Sequence, residues 1–155
     1  LKGIAQVHLS GIGTRVFYAQ LGGFDVHGAQ IQTQQKLLAN VSRSVGDFFD
    51  DLRENDGSQE VIMMIFSEFG RRIKDNGNGT DHGSGGGTML IGDRVKGGFY
   101  DPYPSLAPED QLDGDMHFSH DFRSIYSTVL EQWLGLNPNP IVNGSFDQFE
   151  NVFNL

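Results

Sequence analysis

Four short stretches of this sequence carry side chains with the chemistry of metal ligands. Asp25-Val26-His27 offers a carboxylate oxygen and an imidazole nitrogen within one short reach, a mixture that zinc and manganese accept. Asp81-His82 sets the same two ligand types side by side. Glu68 follows the apolar run Val61–Phe66 one residue on, after Ser67, and Arg71 and Arg72 come just after it, where a guanidinium could grip an anion through two parallel hydrogen bonds. His117 and His120 stand three apart ahead of a helix and could share an ion.

Each stretch also has a plainer use. Asp25 could cap the helix that follows, with His27 exposed in its first turn. Glu68 could form a rim ion pair with Arg71 or Arg72, a contact worth little. Asp81-His82 lies in a glycine-rich stretch, 75 to 87, that reads as a surface loop. His117 and His120 could face solvent, with Ser119 or Asp121 as the helix cap. His8 sits in an amphipathic helix and reads as structural.

Other chemistries are excluded. Without cysteine there is no disulfide, zinc–thiolate site or thiol nucleophile. The glycine-rich stretch lacks the Gly-Lys-Ser/Thr of a phosphate loop. Gly83-Ser84-Gly85 lacks the spacing of a nucleophile elbow. A net charge of -9 repels phosphate backbones, so no nucleic-acid partner is expected. No apolar run is long enough to span a membrane.

The ligand-bearing stretches need elements to position them. Ile4–Ile12 reads as the end of a helix stopped by Gly11 and Gly13. Thr14–Leu21, rich in β-branched and aromatic residues, reads as a strand that delivers Asp25 and His27. Gln30–Arg53 is a long helix whose Ile31, Leu38, Val41, Val45, Phe48 and Leu52 form one stripe. Val61–Phe66 reads as a strand buried on both faces, as in a parallel sheet. Thr88–Ile91 is a possible third strand, and Lys96–Leu112 is irregular, with Pro102, Pro104 and Pro108. Phe122–Leu134 is a second helix, with Phe122, Ile125, Tyr126, Val129, Leu130 and Trp133 on its buried side. The 155 residues suit one α/β domain. Its sheet is expected to be parallel, with Thr14–Leu21 beside Val61–Phe66 and the long helix crossing between them. In such a sheet Asp25, His27 and Glu68 reach one edge, beyond the carboxyl ends of the strands.

The strings TRVFYAQLGGFDVH, VIMMIFSEFGRR, NGNGTDHGSGG and DFRSIYSTVLEQWLG, in that order, resemble the C-terminal half of the DUF1501 family. That resemblance covers the chain from about Leu1 to Leu136. It implies an alkaline-phosphatase-like parallel sheet sandwiched by helices, and hydrolysis of phosphate or sulfate esters with a divalent metal, whether zinc, manganese or calcium. Asp25, His27, Asp81 and His82 match the superfamily's ligand types. Either Glu68 or Asp81 fills the paired-carboxylate role, and Arg71 and Arg72 would bind an anionic small-molecule ester. The rival reading is a non-catalytic, metal-stabilised binding or structural domain.

The resemblance also implies export, to the periplasm or beyond the cell. The superfamily's nucleophile and an early Asp ligand belong to an N-terminal half, and the Asp25–His27 spacing is shorter than in alkaline phosphatases. The chain starts at Leu1 inside a helix and shows two or three strands, where such a sheet usually has about five or six. It is therefore expected to be a C-terminal fragment that packs against its N-terminal half.

Overall fold

The computed structural model describes residues 1–155. Helix α1, Lys2–Leu9, ends at Ser10 and Gly11, the latter in the left-handed region. Helix α2 runs Gln30–Glu54 and starts where its sequence pattern starts. Only the C-terminal half of its apolar stripe finds a core. Phe48, Phe49 and Leu52 bury against Ala5 of α1, with Ile4, Val45, Val61, Met63 and Ile91 packed around them. His8 is structural, its Nε2 lying 3.0 Å from the Gly57 carbonyl oxygen and tying α1 to the turn after α2.

Strand β1, Met63–Ile65, pairs antiparallel with β4, Met89–Ile91. Strand β2, Gly70–Asp75, pairs antiparallel with β3, Thr80–Gly83, through the turn Asn76–Gly79. Both sheets have two strands. The expected strand Thr14–Leu21 has no regular secondary structure and no sheet partner, and it does not lie beside Val61–Phe66 as a parallel neighbour. Strand propensity is expressed only where another backbone accepts the ladder, and none reaches this segment. Val61–Phe66 is likewise half-buried rather than enclosed, and Phe66 is 45% exposed.

The glycine-rich stretch is not all loop, because β3 occupies its centre. The Asn-Gly-Asn-Gly turn lets β2 fold back on β3. The Asp75 carboxylate accepts from Gly77 N–H and the Asn76 side-chain oxygen accepts from Asn78 N–H. Those side-chain-to-backbone bonds favour a turn over a continued strand.

Helix α3, Phe122–Thr128, continues through a π-type turn at Val129–Trp133. Asp121 is its N-cap and accepts from Arg123 N–H, and the Arg123 guanidinium clamps the same carboxylate. Together they hold the Asp121 carboxyl down at about 2. Of the side chains expected on the buried side of this helix, Ile125, Tyr126, Val129, Leu130 and Trp133 are half-buried, with Tyr126 against Phe66 and Trp133 against Phe153. Ser124, Ser127 and Thr128 are buried, while Phe122 is 64% exposed. Thr128 Oγ1 accepts from Phe149 N–H and so holds the tail on the hydroxyl face. The tail returns through a bridge between Val95 and Phe153, and a short helix α4, Asn139–Val142, packs on α3.

Just 14 of the 155 residues are buried, and the chain exposes 10391 Å². A self-contained monomer of 17.1 kDa exposes roughly 7,800 Å². Large apolar side chains are exposed in the N-terminal half of the α2 stripe (Ile31, Leu38), in the Thr14–Leu21 segment (Val16, Tyr18, Leu21) and at Phe122 of α3. No helix is long and apolar enough to cross a membrane.

Candidate metal centre

The site forms where the segment ahead of α2 meets strand β3. Asp25 is its hub. One oxygen of its carboxylate lies 2.9 Å from His27 Nε2 and 2.8 Å from His82 Nε2. One ligand atom from each of Asp25, His27 and His82 falls within 4.8 Å of the others. The second ring nitrogen of His27, Nδ1, lies 3.1 Å from an Asp81 oxygen. Asp81 thus stands behind His27 as an outer carboxylate that orients the ring. The His82 hydrogen bond, then that of His27, holds the Asp25 carboxyl below its ordinary value. Bonds from His27 and then Asn76 do the same for Asp81. Both carboxylates are therefore charged at neutral pH, on a surface open to solvent.

The two backbones that carry these ligands share no ladder. Side chains lash them together instead. Asn78 Oδ1 accepts from Ala29 N–H, and Asn76 donates its amide to the His27 carbonyl and the Asp81 carboxylate. The Gln30 side-chain oxygen accepts from both the N–H and the hydroxyl of Thr80. Gly28 allows the approach, since a Cβ there would stand 2.9 Å from the Asn78 amide nitrogen. Ala29, at a φ of 50°, takes a conformation that side chains rarely adopt. The Phe69 ring stacks on His82 at 3.8 Å and 8°. None of Phe69, Asn76, Asn78 and Gln30 stood out in the sequence. Asn76 and Asn78 lie in the stretch that reads as a glycine-rich loop, and nothing local signals a partner 49 residues away.

Of the five expected ligands, Asp25, His27, Asp81 and His82 come together. Glu68 does not join them: it is exposed in the bend between β1 and β2 and makes no hydrogen bond or ion pair. That leaves Asp81 as the second carboxylate of the group. Arg71 donates to the carbonyls of Thr80 and Phe24. Arg72 pairs with Asp115 at 2.9 Å and donates to the Asp113 carbonyl. His117 and His120 do not share a site. His117 turns to the Phe118 carbonyl, and His120 Nδ1 lies 2.8 Å from Asp101, which also accepts from the Ser119 hydroxyl.

An exposed carboxylate flanked by two imidazoles, with a second carboxylate behind one of them, defines a candidate divalent-metal centre on a mixed helix-and-strand scaffold. The family described as "Protein of unknown function (DUF1501)" matches residues 2–146. The chain belongs to the DUF1501 family. No curated protein and no solved structure matches it.

Proposed function

We propose that this chain carries a divalent-metal site at Asp25, His27 and His82, and that the site serves hydrolysis of phosphate or sulfate esters. The observation that supports it is the convergence of two imidazole nitrogens on one carboxylate oxygen. Two nitrogen donors and one oxygen donor suit zinc or manganese, at about 2.0–2.2 Å for zinc. Calcium, which takes six to eight oxygen ligands, fits the donor set poorly. A bound ion would polarise the ester oxygen and offset the charge that develops in transfer. The protein's part would be positional. Asp25 and the two histidines hold the ion, Asp81 keeps the His27 ring oriented, and Phe69 backs His82. We also propose that further polypeptide covers the exposed apolar faces and completes an alkaline-phosphatase-like core, a placement supported by the excess surface.

One observation favours the rival, a non-catalytic, metal-stabilised domain of an exported protein. The guanidiniums of Arg71 and Arg72 already have partners, and no hydroxyl is bonded to the cluster. Thr80 Oγ1 turns to Gln30, Ser84 Oγ to the Met116 carbonyl, and Ser67 Oγ accepts from Phe69 N–H. The two readings separate on one preparation. Protein stripped with chelator is titrated with zinc and with manganese by calorimetry, then assayed on aryl phosphates and aryl sulfates. Stoichiometric binding with metal-dependent turnover supports the hydrolase. Binding with a raised melting temperature and no turnover supports the structural role. Absence of stoichiometric binding overturns both.

A further inference from the structure

We propose that Arg71 is a positioning residue that sets the separation of the metal-site segments, rather than a group that binds substrate. This rests on the assignment of Asp25, His27 and His82 as a site, and it concerns how the apo protein holds them. The two nitrogens at the end of the Arg71 guanidinium take one carbonyl each. Nη1 donates to Thr80 O and Nη2 donates to Phe24 O, both at 2.6 Å. Each carbonyl belongs to the planar peptide unit that leads directly into a site residue, Asp25 on one side and Asp81 on the other. A rigid planar fork across two planar peptides sets a distance and an angle together.

The placement of Arg71 strengthens this role. It lies opposite His82 in the β2–β3 register. Its guanidinium carbon sits 5.0 Å over the Phe69 ring, and that ring stacks on His82. Arg71 thus braces the backbone on both sides of the cluster and, through Phe69, the His82 ring. The other lashings hold the opposite end: Asn76, Asn78 and Gln30 all engage the stretch from His27 onward. At the Asp25 end, the bond from Arg71 to the Phe24 carbonyl is the link to the β2–β3 hairpin that does not involve a site residue. Arg71 forms no salt bridge, and both of its hydrogen bonds go to backbone oxygens.

The test uses cobalt(II) as a spectroscopic probe on the chelator-stripped protein. Wild type is compared with Arg71→Met, Arg71→Lys and, as control, Arg72→Met. Nuclear Overhauser contacts between the His27 and His82 rings, 4.8 Å apart in the structure, are followed in the absence of metal. We expect Arg71→Met to lose the ring contacts and to weaken cobalt binding about 10–100-fold, the usual cost of losing an outer-shell support. Its d–d absorption should change in shape. Lysine brings a charge and donors but not the planar fork that fixes distance and angle together, so Arg71→Lys should restore neither signal. Arg72→Met should stay within about twofold of wild type, because its partners lie outside the site. Should Arg71→Met fail to fold, Arg71→Lys carries the test alone. Wild-type affinity, spectrum and ring contacts in Arg71→Lys or Arg71→Met would overturn the proposal. If wild type binds no cobalt, yet its ring contacts vanish in Arg71→Lys, the metal assignment falls and the positioning role of Arg71 stands.

Discussion

The two ends of α2 are held by different physics. At its C-terminal end, Phe48, Phe49 and Leu52 are buried against α1 and β1, and burial of apolar surface holds the helix in place. At its N-terminal end, Ile31 is 71% exposed and Leu38 is 52% exposed, although they continue the same stripe. That end is held by Asn78, Gln30 and the carboxylate–histidine pairs instead. Hydrogen bonds at an exposed surface contribute modestly, because water competes for each partner. The site therefore sits on the weakly held end of a well-anchored helix. Ligand binding at such an end adds stability by mass action as well as chemistry.

The comparison can be broken most forcefully at the anchored end. Leu52→Ala should cost about 2–5 kcal/mol of global stability by urea denaturation, through lost burial and a residual cavity. If the same substitution leaves stability unchanged, the core assignment is wrong. At the polar end, His82→Ala should lower zinc affinity at least about 100-fold by competition titration, since a three-donor set loses one of its two nitrogens. His120→Ala should leave that affinity alone, because its carboxylate partner is Asp101. Equal losses in both variants would erase the distinction between the two histidine clusters.

Asp81→Asn should weaken zinc about 10–100-fold without removing the site, as expected for an outer partner of His27. Retention of full affinity would return Asp81 to a purely surface role. Acid gives a smaller effect with a definite sign. The folded-state values of Asp25 and Asp81 lie below the ordinary 3.8. Their hydrogen bonds therefore contribute fully above about pH 4 and are lost as pH falls through the lowered values. Carboxyl carbon shifts should titrate below 3.8 for both, and a midpoint above it for either would contradict the hydrogen-bonding pattern. Smallest of all, Ile31→Ser should change stability by less than about 0.5 kcal/mol. A larger loss would mean that the exposed half of α2 has a partner in solution.

Residue types and local periodicity were enough to recognise much of this molecule. The extent of α2 and the existence of α3 follow from side chains and their spacing over a few turns, whereas the sequence leaves the cap open between Ser119 and Asp121 and the structure places Asp121 there. The family resemblance rested on strings that stay contiguous, and the match over residues 2–146 agrees with it. What local pattern could not decide was pairing. A strand-like segment such as Thr14–Leu21 becomes a strand only beside another backbone, and a glycine-rich stretch becomes β3 only because β2 folds onto it. The same limit separated Glu68 from the cluster and drew Phe69, Asn76, Asn78, Gln30 and Arg71 to it. Their partners lie up to 50 residues away in sequence, so only the tertiary arrangement decides which polar groups find one another.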